Sequence, residues 1–168
     1  MDAERLTILK SEMHAQIGEI EGIYNKLEDR KKKRGKAGLE SIGYQLHNLY
    51  CAFEDLFKIV AESFENHIQD KAKYHMELLK RMRVSIEGVR PPLLTQESYL
   101  LLNNLRSFRH FFRHAYSYEI DARKVRIVLE DVDKLRDIFK RDVEDFMKSL
   151  TRNLPAGLAE VEEILNDI

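Results

Sequence analysis

The sequence has few of the residues that interrupt regular structure, with 7 glycines and 3 prolines in 168 residues. Because turns depend on these residues, a chain with so few of them consists of long elements, and long elements are helices rather than strands. A β-sandwich or β-barrel is therefore nearly excluded. Hydrophobic residues make up 43% and charged residues 34%, which is too apolar for a disordered chain and indicates one ordinary globular domain.

Cysteine and long apolar runs are also scarce. Cys51 is the only cysteine, so no internal disulfide can form, which is typical of a reducing compartment. Its apolar neighbours indicate an inert, packed thiol. No apolar run approaches the roughly 20 residues that span a bilayer, and the first residues are polar rather than the apolar core of a signal peptide. We therefore expect a cytoplasmic protein that has no membrane partner.

Neither sign of charge is in excess, since 28 Lys and Arg residues oppose 29 Asp and Glu residues. The net charge of -1 excludes a polycation that coats nucleic acid. Any binding of nucleic acid must depend on a local patch. The basic segment 31–36 is one candidate for steering RNA, but an exposed, solubilising turn is the interpretation that we favour.

Apolar residues recur at steps of three and four along five segments, which is the pattern of amphipathic helices. These segments cover about 6–27, 39–64, 71–87, 101–112 and 125–150, and breaks lie at 30–38, 88–92 and 155–157. Thr95 and Asp121 are placed to cap the fourth and fifth helices. The pattern predicts an all-α antiparallel bundle of about five long helices over residues 1–154, with a short acidic amphipathic helix over residues 155–168.

The second helix has the heaviest apolar face of the chain. Its aromatic residues are Tyr44, Tyr50, Phe53, Phe57 and Phe64. The face is broad enough to contact two neighbours. It can serve as core or as the interface of a dimer.

Three arginines and two histidines fall within nine positions of the predicted fourth helix. They are Arg106, Arg109, His110, Arg113 and His114. The apolar residues of this helix hold one face to the core, so these basic side chains lie towards other faces. Loss of Arg109 or His114 is therefore expected to cost little stability.

The segment from Arg109 to Tyr116 resembles the signature of the HepT-like toxins of the HEPN superfamily. That signature is an arginine, four residues, a histidine, one residue and a tyrosine, and here it is supplied by Arg109, His114 and Tyr116. An Ile-Asp step follows at 120–121. The signature covers eight residues, and the helical layout extends the resemblance over roughly residues 1–150.

The resemblance implies a metal-independent endoribonuclease that acts as a homodimer, with two copies of the motif facing one cleft. It also implies a partner, a nucleotidyltransferase antitoxin of the MntA type. That partner silences the toxin by adenylylation of the motif tyrosine, which would be Tyr116. RNA is the expected substrate, and no cofactor is expected.

The residue types suit this chemistry. A histidine exchanges protons near neutral pH, and the planar guanidinium of an arginine matches two phosphate oxygens. We assign His114 as acid or base and Arg109 as clamp, with Arg106, His110 and Arg113 contacting RNA phosphates. DNA lacks the 2′-hydroxyl nucleophile and would not be cut.

Two questions remain open at this point. Positions five apart on an ideal helix point about 140° away from each other, so Arg109 and His114 share a cleft only if the helix loosens, the side chains reach around, or a second subunit completes the site. The rival function is a non-catalytic helical adaptor of a nucleotidyltransferase, which needs neither residue.

His110 and His114 have the spacing of a zinc-ligand pair, but no third ligand is apparent and no metal is expected.

Overall fold

The computed structural model describes residues 1–64, 74–114 and 120–152, without the side chains of residues 74 and 75. Five α-helices fill this part of the chain. They are α1 (Ala3–Lys31), α2 (Gly35–Phe64), α3 (Tyr74–Met82), α4 (Gln96–Arg113) and α5 (Ala122–Arg152). The described residues contain no strand beyond one isolated bridge between Ile86 and Arg90. The predicted all-α bundle is confirmed, while the tail at 155–168 lies outside the described residues.

The helix α2 lies at the centre of the bundle. It packs along α1 and also contacts α3, α4 and α5. Tyr50, Phe53 and Phe57 are fully buried, and the Phe53 ring meets Phe139 of α5 edge-on at 4.8 Å. The broad aromatic face is therefore core, and the alternative that it forms a dimer interface is wrong. Tyr44 is the exception, because 56% of it is exposed.

The basic turn is shorter than the sequence predicts. Residues 32–34 alone lie outside α1 and α2, not the whole of 30–38. Lys31 extends α1 because its ammonium contacts Glu28 and, on α5, Asp133, each at 2.6 Å. Gly35 then opens α2 with a φ of 80°, a backbone conformation that favours glycine.

The third helix ends at Met82 rather than at Glu87. The Met82 carbonyl accepts hydrogen bonds from the backbone N–H groups of Leu93 and Leu94, at 2.8 and 3.1 Å, instead of from the next helical turn. The guanidinium of Arg90 is buried beneath the turn and donates to the carbonyls of Arg81 and Val84. These long-range bonds stop the helix although its apolar spacing continues.

Both predicted caps are confirmed. Thr95 caps α4, since its side chain accepts the backbone N–H of Ser98. Asp121 accepts the backbone N–H of Arg123 at 2.9 Å, which secures the first turn of α5. The helix α4 thus starts at a fixed point and packs between α2 and α5. In the described part of the chain, no helix is both long and apolar enough to cross a membrane.

Candidate functional site at the carboxyl end of helix α4

The motif lies where α4 ends. Leu102, Leu105 and Phe108 are buried and hold the helix against the core. The last helical residue is Arg113, and His114 is the C-cap, with φ -105° and ψ 6°. Its backbone N–H donates to the Phe111 carbonyl at 3.1 Å, as in a tightened final turn. The helical register therefore changes at His114, which is one of the conditions under which the motif residues can converge.

Arg109 points towards α2. Its side chain is only 13% exposed, and its Nη2 lies 3.8 Å from Oε2 of Glu54, whose side chain is 5% exposed. The guanidinium also lies 5.7 Å from the centre of the Tyr50 ring, within the range of a cation–π contact. The sequence predicts that the loss of Arg109 costs little stability, but the side chain packs against α2, and its removal would take positive charge from a buried carboxylate.

Opposing influences act on the pKa of Arg109. Burial lowers the pKa, but the neighbouring Cys51, Glu54 and Tyr50 outweigh it and hold the pKa above its ordinary value. The guanidinium therefore stays charged. Burial raises the pKa of the Tyr50 hydroxyl, so this phenol stays protonated beside it.

On α2, His47 and Cys51 lie beside Arg109 of α4. Sequence reasoning did not assign either residue to the site. The His47 ring is 5.9 Å from that of Phe112 on α4, and its Nε2 lies 3.8 Å from Cys51 Sγ. Burial, followed by the charges of Arg109 and Arg113, lowers the pKa of His47. The spacing of four residues between His47 and Cys51, on the flank of the aromatic stripe, is the signal that could have indicated them.

Several polar atoms at this contact are buried without a hydrogen-bond partner among the described residues. They are His47 Nδ1, Tyr50 Oη and Arg109 Nε, and Gln45 Oε1, which precedes His47 on α2, is a fourth such atom. All four belong to α2 or α4. Unpartnered buried polar atoms are uncommon in folded proteins, so each is a candidate for a catalytic role or for a contact with water or an ion.

The other predicted residues of α4 are exposed or half-buried. His110 and His114 are exposed, and the centroids of their rings lie 4.9 Å apart. Arg113 is exposed, while Arg106 is half-buried and donates from Nε to Asn103 Oδ1 at 3.1 Å. The structure therefore brings Arg109 together with α2, and His114 together with His110.

No hydrogen bond or ring contact joins Arg109 to His114 in the part of the chain that is described. That part also contains no cluster of three or more side chains suited to holding a metal ion. Tyr116 lies outside the described residues.

Comparison with known proteins identifies the family of this chain. Searches of curated proteins and of solved structures gave no match. A family model described as HepT-like protein matches residues 41–150, which is well over half of the chain and includes both α2 beyond its first turns and the whole motif. This family is of the HEPN type, generally related to ribonucleases, and occurs in toxin–antitoxin systems. The chain belongs to the HepT-like proteins of the HEPN superfamily.

Proposed function

We propose that this protein is the toxin of a HEPN and nucleotidyltransferase pair and that it cleaves RNA without a metal ion. The observation that carries the proposal is the motif at the end of α4, in which Arg109 is held by the buried Glu54 while Arg113 stays exposed beside it. A charged guanidinium fixed by a buried partner is preorganised for phosphate rather than free to fold back on the surface. Membership of the HepT-like family supports the same reading.

The cleavage would proceed through the neighbouring 2′-hydroxyl of the RNA. A base removes the hydroxyl proton, the oxygen attacks phosphorus, and the bond from phosphorus to the 5′-oxygen breaks as an acid protonates the leaving oxygen. The products are a 2′,3′-cyclic phosphate and a 5′-hydroxyl. His114 takes part in the proton transfer, Arg109 stabilises the charge on phosphorus, and Arg106, His110 and Arg113 bind neighbouring phosphates.

The proposal includes a homodimer. Arg109 faces α2, whereas His114 contacts His110. In a dimer with two copies of the motif facing one cleft, His114 of one copy would complete the site that contains Arg109 of the other. The aromatic face of α2 no longer supports a dimer, since it is core. Sedimentation at micromolar concentration is expected to show a species of twice the chain mass, and a monomer alone would contradict this part.

Tyr116 is the proposed site of silencing. Adenylylation by a nucleotidyltransferase partner would place phosphate near Arg113 and occupy donors that serve the RNA backbone. Co-expression with the partner and ATP is expected to add one or more AMP groups at Tyr116 and to abolish cleavage. Inhibited but unmodified protein would show that binding alone silences it.

The decisive test is RNA cleavage by the purified protein in the presence of EDTA. The wild type should cleave at a rate that the chelator does not change. Arg109→Lys, which keeps a positive charge beside Glu54, and His114→Gln should each lose about 100-fold or more. Arg5→Lys and His14→Gln are matched controls at exposed positions on α1 and should cleave as the wild type does.

The adaptor remains the second candidate, because a buried ion pair between Arg109 and Glu54 also fits a purely structural role. It makes a different prediction. A wild type that binds a nucleotidyltransferase but leaves RNA intact would establish the adaptor and exclude the nuclease.

A further inference from the structure

The helices α2 and α4 come close together near the motif. Gly43 permits this approach, since a Cβ atom at its position would lie 2.7 Å from Cε2 of Phe112. His47 follows one helical turn later on the same face of α2 and packs its ring against Phe112. The backbone thus places His47 beside the last turn of α4, where Arg109 and Arg113 lie.

His47 is half-buried, with Nδ1 inside the protein. Its Nε2 lies 3.8 Å from Cys51 Sγ. A thiol is a weak hydrogen-bond partner, so a hydroxyl of the RNA can replace it. By contrast, His114 packs on His110 at the exposed side of the helix. Of these histidines, His47 is therefore the one held against the face that carries the arginines.

We propose that His47 is a second proton-transfer residue of this site, accepting the proton of the RNA 2′-hydroxyl at Nε2. The inference rests on the proposed ribonuclease function. The imidazole gains the proton that the 2′-oxygen loses as its bond to phosphorus forms. His114 of the second copy of the motif gives a proton to the 5′-oxygen as that bond breaks, so water need supply none during cleavage.

The surroundings suit a base rather than an acid. The charged groups that face His47 from α4 are Arg109 and Arg113, and Cys51 is its neighbour on α2. Burial and the two positive charges lower the pKa of His47, so its imidazole is neutral and able to accept a proton at neutral pH. The same two guanidiniums would hold the phosphate next to the hydroxyl that His47 deprotonates.

The test is the pH dependence of RNA cleavage by the whole protein, with His47→Gln compared to His14→Gln. Glutamine keeps a planar polar group against Phe112 but cannot titrate. We expect kcat/KM to fall about 100-fold with RNA binding unchanged. The acid limb of the wild-type profile should lie below pH 6.5, the ordinary histidine value, and should be absent from His47→Gln while the alkaline limb remains.

A second measurement does not depend on cleavage. In the RNA-free protein, NMR titration of the His47 ring should give a pKa below that of free histidine, and Arg113→Gln should raise it. A pKa at or above the free value would overturn the inference.

The outcomes separate the two proposals. If the wild type cleaves, Arg109→Lys does not, and His47→Gln cleaves with the wild-type pH profile, then His47 has no part in proton transfer and the ribonuclease stands. If the wild type leaves RNA intact, both proposals fail together.

Discussion

The two ends of α4 bury polar groups in different ways. At the amino end, Asp142 of α5 is buried and accepts hydrogen bonds from the Thr95 backbone N–H at 3.0 Å and its hydroxyl at 3.1 Å. At the carboxyl end, Arg109 Nε, Tyr50 Oη and His47 Nδ1 are buried without a partner among the described residues. Saturated polar groups hold a helix in place, whereas unsaturated ones retain the capacity to bind something else.

The largest expected effect is on stability at the amino end. Asp142→Ala removes the acceptor of two hydrogen bonds and leaves the Thr95 N–H unsatisfied, which should lower the free energy of unfolding by about 2–3 kcal/mol. Chemical denaturation measures it, with the exposed Asp145→Ala as control. RNA cleavage by the folded variant should not change. A loss of cleavage would mean that the two ends are coupled and would break the comparison.

At the carboxyl end, Glu54→Gln should affect RNA cleavage more than stability. Its effect on stability should be smaller, about 1–2 kcal/mol, because glutamine keeps a polar side chain of similar shape beside Arg109 and only the charge of the 3.8 Å contact is lost. Cleavage should fall about tenfold or more, since the guanidinium loses its anchor. The neighbouring exposed carboxylate offers the control Asp55→Asn. Full activity in Glu54→Gln would show that Arg109 does not need this partner.

The glycines of α1 and α2 offer a matched pair. Gly43→Ala puts a methyl group 2.7 Å from Cε2 of Phe112, so the ring must shift, and we expect about 1 kcal/mol of net destabilisation. Gly18→Ala has open space around it and should stabilise by about 0.5–1 kcal/mol through helix propensity. Thermal unfolding of the two variants measures whether each substitution stabilises or destabilises the protein. Equal stabilisation of both would show that α4 tolerates displacement.

The smallest effect is on the pH dependence of stability. Burial and the charges of Arg109 and Arg113 lower the pKa of His47 in the folded state, while the unfolded chain titrates near 6.5. Below that value the unfolded state binds the extra proton, so stability should fall as pH drops from 6.5 through the folded pKa. His47→Gln should flatten this part of the curve, and His14→Gln should not. A curve unchanged in His47→Gln would mean that neither burial nor the arginines lower the pKa of His47.

Much of the fold could be predicted because helical periodicity and capping are local. The apolar stripe of α5 and the caps at Thr95 and Asp121 depend on residues within a turn or two of each other. The end of α3 could not be predicted, since the Met82 carbonyl is taken by Leu93 and Leu94 across the following turn. The spacing of residues along one helix contains no information about such bonds.

The candidate site divides in the same way. The motif Arg109, His114 and Tyr116 is a property of eight consecutive residues, and the sequence by itself determined it, together with the all-α class. The tertiary structure alone decided that Arg109 lies against Glu54 and that His47 meets Phe112. These partners are more than 50 positions apart, and burial, contact and pKa arise only when α2 and α4 pack, because electrostatics and desolvation depend on distance in space rather than along the chain.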